Sequence, residues 1–275
     1  HHDVGLANQL VVVREQLPHD RQPHDAGEAG ERLAFVLTQQ ASELRTRFEA
    51  AYWCEDLGIY ALALDGEKRP CRVRTSNAGH CLFTGIASAE RARRVAEQLL
   101  SPELFSGWGV RTLASNERRY NPMSYHNGSV WPHDNALIAQ GLARYGAKDE
   151  AMRILQGLFD ASLFVDLYRL PELFCGFPRR VGQGATLYPV ACSPQSWAAA
   201  APLLLLKSAL GLFVEADQQR VRLAYPVLPP FLEEVSISNL RVGDAVVDLR
   251  LHRYREDVGI NVVRREGKVE VVTLK

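Results

Sequence analysis

Cysteine is scarce and poorly spaced for cross-linking: Cys54, Cys71, Cys81, Cys175 and Cys192 are odd in number and form no CxxC pair. Such a set argues against a disulfide scaffold or a zinc site, and reduced, buried thiols are expected. Net charge is missing too. Thirty-two lysines and arginines balance thirty-two aspartates and glutamates, which leaves no electrostatic footprint for nucleic acid or an anionic lipid surface. Long apolar runs are also lacking. The most apolar stretch, Ala198 to Leu206, contains Pro202 and stops at Lys207, short of the ~20 residues a membrane span needs. No charged-then-apolar leader with a small-residue cleavage site is visible, so a cytoplasmic protein is expected. What is present is an ordinary globular composition, 47% hydrophobic and 23% charged over 275 residues, enough for one large domain or two small ones.

Residues 1–32 read as an irregular lead-in. They carry His1, His2, His19 and His24 among Gln, Pro, Gly and acidic residues, but no cysteine or carboxylate at ligand spacing, and the histidines are taken as non-functional. From Leu33 to Tyr52 the apolar positions Leu33, Val36, Leu37, Ala41, Leu44, Phe48 and Tyr52 follow a helical period, with Gln39, Glu43, Arg45 and Glu49 outward. A loop-rich stretch, Glu55 to Gly85, allows a short hairpin. Ser88 then caps a helix whose face is Ala92, Val95, Ala96, Leu99 and Leu100. Further helices are expected from Asp134 as cap to Gly146, from Lys148 to Phe164, and from Ser193-Pro194 to Gly211. After residue 213 the period changes to two, in Val235-Ser-Ile-Ser, Ala245-Val-Val-Asp-Leu-Arg-Leu, Gly259-Ile-Asn-Val-Val and Lys268-Val-Glu-Val-Val. This predicts a small antiparallel β segment over 214–275 with nothing chemical in it. The fold class is therefore mainly α with a β appendage.

Chemistry concentrates in two loops. Tyr120 to Asp134 places aromatic rings beside amide, imidazole and carboxylate groups, the mixture a sugar needs: apolar ring faces stack while hydroxyls take directed hydrogen bonds. A structural alternative stands beside it, in which Trp131 is core, His126 a satisfied turn residue and Asp134 only a cap. A metal reading through His126, His133 and Asp134 is set aside. Glu172 sits in the apolar segment Leu170-Pro-Glu-Leu, where a carboxylate is costly without partners or a task, so it is the candidate general base. An ion pair with Arg169, Arg179 or Arg180 is the structural alternative. Ser193 and Cys175 lack the context of a nucleophile.

Five stretches carry a family resemblance: Arg47-Phe-Glu-Ala-Ala-Tyr-Trp, Thr75-Ser-Asn-Ala-Gly-His, Tyr125-His-Asn-Gly-Ser-Val-Trp-Pro-His-Asp-Asn, Leu170-Pro-Glu-Leu-Phe-Cys-Gly and Tyr188-Pro-Val-Ala-Cys-Ser-Pro-Gln-Ser-Trp. In this order, over about residues 33 to 212, they resemble the C-terminal part of bacterial amylo-α-1,6-glucosidase (glycogen debranching enzyme)-related proteins. The resemblance implies the C-terminal half of an (α/α)₆ toroid over 33–213, of the six-hairpin glycosidase type. It also implies inverting hydrolysis of an α-glucan or α-glucoside oligosaccharide, with no metal and no organic cofactor.

In inversion a carboxylic acid protonates the leaving oxygen and a carboxylate ~6.5–9.5 Å away activates water. By motif match Glu172 is that base. Tyr125, His126, Asn127, Trp131, His133 and Asp134 line the pocket, with Trp108, Arg111 and Gln195 as further substrate contacts. The family's general acid, an aspartate in a Gly-Arg-Asp motif, has no counterpart here. Gly5-Leu-Ala-Asn-Gln matches briefly before Leu10-Val-Val-Val-Arg-Glu-Gln departs from the pattern, which suggests a shifted or truncated frame upstream of about residue 33. An open half-toroid is expected to self-associate through its apolar faces. A non-catalytic carbohydrate-binding or structural helical domain is the alternative function.

Overall fold

A computed structural model describes residues 27–255 and 257–275; the histidines of the lead-in lie outside the described residues. The chain divides into two compact units, the first taking in Val36–Leu205 and the second Leu206–Lys275 with the described residues 27–35. Among the described residues, six α-helices and eight strands make this a mixed α/β chain rather than a mainly α one. No helix among the described residues is long and apolar enough to cross a membrane.

Helix α1 (Glu28–Tyr52) starts a turn earlier than its apolar period indicates. Glu49 does not face outward as the spacing suggests. Its carboxylate accepts from the Tyr60 hydroxyl at 2.8 Å and the Ser88 amide at 2.6 Å, and it pairs with Arg91. A part-buried carboxylate with that many donors fastens the end of α1 to the turn before the next helices. The hairpin β1 (Trp53–Cys54) and β2 (Ile59–Tyr60) follows α1 directly.

Helix α2 (Asn77–Thr84) falls on a polar run that reads as loop in the sequence. Its justification is tertiary: a Cβ on Gly79 would lie 2.5 Å from Ile138, so glycine there lets two backbones approach closely. Helix α3 (Ala89–Leu99) begins as expected, Ser88 accepting from the Arg91 amide, and buries Ala92, Val95, Ala96 and Leu99. Helix α4 (Pro132–Arg144) has Trp131 at its N-cap, and Asp134 lies inside the first turn instead of capping it. Proline at the first helical position is suited to start a helix there. Helix α5 spans Lys148–Ser162, and α6 spans Ser196–Leu210, beginning after the Ser193-Pro194 pair that the sequence suggests as its cap.

Between the helices, four chain segments lie side by side through single antiparallel bridges, Arg111 to Val130, Val130 to Phe174 and Phe174 to Leu187. The bonds are well made: Val130 and Phe174 exchange amide–carbonyl contacts at 2.9 and 3.0 Å, and the Cys175 amide reaches Thr186 at 2.8 Å. Each buried segment thus satisfies its backbone by pairing. This narrow ladder sets the Tyr120–Trp131 loop beside Leu170–Gly176 and the 187–195 segment.

The second unit holds two three-stranded sheets. One is an antiparallel meander of β5 (Glu234–Val242), β6 (Ala245–Arg253) and β7 (Val258–Glu266). The other joins β3 (Leu212–Glu215), β4 (Arg220–Ala224) and β8 (Glu270–Leu274), with β4 and β8 parallel. That parallel pair corrects the expectation of an antiparallel appendage, and it is possible because the whole meander intervenes as the long connection parallel strands require. The core of this unit is aliphatic, built on Val221, Leu223, Val242, Val247, Leu249 and Leu251.

The ladder makes one sharp demand. A Cβ at Gly176 would stand 1.6 Å from the Gly128 carbonyl oxygen, and neither backbone can retreat without breaking the bridges. Gly176→Ala is expected to cost about 1–3 kcal/mol or more by overpacking, read as a lower denaturation midpoint; an unchanged midpoint would mean the two segments are not in contact.

Candidate active site

The ladder brings Glu172 to the aromatic loop. Glu172 is buried, 7% exposed, yet it makes no ion pair with the nearby arginines. Arg179 instead pairs with Asp160 at 2.5 Å. Glu172 Oε1 accepts from the Tyr125 hydroxyl at 2.5 Å, and Oε2 accepts from the Cys192 amide at 3.1 Å. The Glu172 amide in turn donates to the Cys192 carbonyl at 2.9 Å, so the 187–195 segment clasps this residue from both sides.

These donors decide its charge. The Tyr125 hydroxyl first, the Cys192 amide next, and to a lesser extent the Gln195 side chain hold the Glu172 carboxyl below the usual glutamate range against the opposing effect of burial. The same bond acts on its donor: beside the carboxylate, the Tyr125 phenol is pushed up to about 12. A carboxylate kept ionised under cover can take a proton and is unsuited to deliver one.

Around Tyr125 the aromatic rings meet edge to face. Trp131 lies at 4.8 Å, His126 at 4.7 Å and Tyr188 at 5.6 Å. Trp131 is fixed by its indole N–H, which donates to Ser129 Oγ at 2.9 Å, and Ser129 Oγ donates to the Tyr125 carbonyl at 2.6 Å. His126 is exposed and lies parallel to Trp131, with ring centres 6.1 Å apart. His133 stacks on Trp197 at 4.3 Å, and its Nδ1 is buried without a hydrogen-bond partner. Burial is the main reason that the His133 pKa is lowered, so this imidazole is neutral at pH 7. Trp197 is half exposed.

Beneath this rim lies a second carboxylate. Asp134 Oδ1 meets His80 Nε2 at 2.5 Å. Burial opposes the charge on each, but their mutual bond and attraction prevail, with the Asp134 pKa lowered and the His80 pKa raised. Coupled in this way, the two titrate as a pair.

Seven expected site residues therefore come together: Tyr125, His126, Trp131, His133, Asp134, Glu172 and Gln195. Three do not join them. Asn127 is exposed on a turn, where its amide donates to Ser124 Oγ at 3.2 Å. Arg111, 2% exposed, donates to the carbonyls of Gly176, Pro102 and Glu103 at 2.7, 3.1 and 3.0 Å, so its guanidinium is committed to holding backbone. Trp108 is buried under Arg179, whose guanidinium carbon lies 4.6 Å from the ring centre, and borders a separate cavity of about 230 Å³ with Phe177, Arg180 and Gln183.

The sequence reading omitted His80, Tyr188 and Trp197, although each stands in one of the five motif stretches. Cys192 departs from the expectation of buried thiols, since it is exposed. Among the described residues no group of three or more His, Cys, Asp or Glu side chains is arranged to hold a metal ion.

Comparison with known proteins agrees with a glycosidase. Residues 25–163 match the mannosylglycerate hydrolase MGH1-like glycoside hydrolase domain, a span that includes His80, Tyr125, Trp131 and Asp134 and ends before Glu172. The mannosylglycerate hydrolase MGH1 of Selaginella moellendorffii is 32% identical over 73 residues, 26% of this chain and 15% of that protein. Among solved structures, the GH63 mannosylglycerate hydrolase from Thermus thermophilus in complex with Tris is similar at 20% identity and TM-score 0.50, covering 62% of this chain and 38% of that one. A GH78 family rhamnosidase of Bacillus sp. GL1 is similar at 16% identity and TM-score 0.61, covering 89% of this chain and 23% of that one. These structural likenesses concern the fold. The chain spans well under half the length of each of these relatives.

Two titrations follow from the site. Glu172→Gln should return the Tyr125 phenol from about 12 toward the ordinary value of 10.0, seen in a phenolate absorbance titration; no change would mean the two side chains are apart. For the pair, the raised His80 pKa gives stability that is full below about 6.5 and lost as pH rises through the folded value. The lowered Asp134 pKa gives stability that is full above about 3.8 and lost as pH falls through the folded value. The stability deficit of His80→Leu should accordingly be greatest between about 3.8 and 6.5 in denaturation curves taken across pH. A deficit independent of pH would contradict the pairing.

Proposed function

Because the chain belongs to the MGH1-like glycoside hydrolase domain family, we propose that Glu172 is the general base of an inverting hydrolysis of α-glycosides. The observation that supports this most is the bond from Tyr125 to Glu172, which joins an ionised carboxylate to an aromatic sugar-type rim. Glu172 takes a proton from water as that water attacks the anomeric carbon, and the bond to the leaving oxygen breaks on the opposite face of the ring. For the water to fit, the acid must stand ~6.5–9.5 Å from the base. Asp134 does not suit that part, because His80 holds it in its charged form. The acid is assigned to the first half of an (α/α)₆ toroid, of which this chain supplies the second half.

The rim restricts the substrate class. Tyr125, Tyr188 and Trp197 offer ring surface beside the buried Trp131, and Gln195 and His133 offer directed polar atoms, a combination that suits a single pyranose better than an extended apolar ligand. The names of the relatives point to mannosylglycerate, a small α-mannoside with an anionic aglycone, while the order of motifs points to α-glucan ends of the debranching type. A panel of α-glycosides that includes mannosylglycerate and malto-oligosaccharides separates the two.

In a protein that also carries the acid-bearing half, and on the preferred substrate, Glu172→Gln should lower turnover at least ~10²-fold, the scale of losing a general base, and the freshly released sugar should carry the inverted β configuration by proton NMR. Unchanged turnover would remove Glu172 from the reaction. Sugar binding by calorimetry without turnover, even with the acid-bearing half present, would favour a carbohydrate-binding protein instead.

A further inference from the structure

The His80–Asp134 pair stands outside the reaction just described, yet it sits in the same turn as residues that pack toward two of the side chains holding Glu172. Asp134 lies in the first turn of α4, a helix whose N-cap residue, Trp131, makes no side-chain cap bond. Without a cap, the orientation of that turn rests on what its side chains meet. Asp134 meets His80 at 2.5 Å. His80 comes from α2, which is pressed against α4 where Gly79 leaves only 2.5 Å between a would-be Cβ and Ile138. The close approach at Gly79 thus holds the backbone that carries His80 against α4.

Two arms leave this turn toward Glu172. On one side Trp131 packs edge-on against Tyr125 at 4.8 Å, and Tyr125 donates to Glu172 Oε1 at 2.5 Å. On the other, His133 stacks on Trp197 at 4.3 Å, and Gln195, two residues earlier in the chain, contributes to holding Glu172 ionised. The His80–Asp134 bond, together with a Ser76 bond to Asp134 and the Asn135 side-chain bonds to Val110 and Trp131, thus holds the turn from which contacts run toward two of the donors on the carboxylate.

We propose that His80 is a positioning residue: by pinning Asp134 it fixes the first turn of α4, and through Trp131 and His133 it holds Tyr125 and Gln195 in place on Glu172. This assignment rests on the reading of Glu172 as the general base, but its test does not require turnover.

The experiment follows the Glu172 side-chain carboxyl by ¹³C NMR across pH in the chain itself, with the resonance assigned by its loss in Glu172→Gln. His80→Leu fills the space without the bond, and His80→Gln keeps an N–H donor at similar reach; both remove the imidazole. His80→Leu should raise the Glu172 midpoint toward the ordinary glutamate range, and His80→Gln should restore it toward wild type. Ser88→Ala, which removes the cap of α3, serves as a variant that loses stability without touching the pin. Circular dichroism confirms that each variant is folded, and should His80→Leu not fold, His80→Ala takes its place.

An unmoved midpoint in the bond-breaking variant, an equal rise in Ser88→Ala, or no recovery with Gln would each overturn the proposal. The two readings fail separately. A midpoint that moves as described while Glu172→Gln leaves turnover intact would sink the base assignment alone, and the reverse outcome would sink the pin alone.

Discussion

A covered carboxylate stays charged only while enough donors face it, and the site is organised around meeting that condition at Glu172. Without Tyr125, the Cys192 amide and Gln195, burial would favour the protonated form, and a neutral carboxylic acid would stand beside the aromatic rings. The donors come from different parts of the sequence, so the condition is also one of folding. Val130 and Phe174 must bridge for Tyr125 to approach Glu172, and the 187–195 segment must lie alongside for Cys192 to do so. The ladder is short and irregular because its task is to bring three loops into register.

The helical periods were readable in the chain wherever an apolar stripe was the cause of the helix. Ser88 with Ala92, Val95, Ala96 and Leu99 is such a case, and α3 begins and packs as its spacing indicates. Where the cause lies in another segment, local reading fails. Asn77–Thr84 has no apolar stripe to announce it, and becomes helical because Gly79 admits Ile138. Glu49 looks like a solvent-facing position on α1, but three partners brought from residues 60 to 91 draw it inward. The parallel pairing of β4 with β8 similarly depends on the length of the intervening meander, which a period of two does not reveal.

The site divides in the same way. Glu172 stands out because a carboxylate in an apolar segment needs an explanation, and Tyr125 and Trp131 stand out because aromatic and amide groups are crowded together. Arg111 and Trp108 carry the same residue-type signal, yet the structure commits Arg111 to three main-chain carbonyls and covers Trp108 with Arg179. Residue type alone does not distinguish a group held for a ligand from one holding the backbone. His80 shows the opposite error, since nothing about a histidine after Ala-Gly indicates that Asp134 will meet it.

The central claim is that Glu172 and the aromatic rim form one sugar-facing hollow. The most direct measurement is a crystal structure of the chain soaked with an α-mannoside or maltose. The account predicts a pyranose ring against the exposed Trp197 with its anomeric carbon turned toward a Glu172 that still accepts the Tyr125 hydroxyl. A Glu172 drawn into an ion pair with an arginine, or a sugar seated only in the cavity beside Trp108, would contradict it.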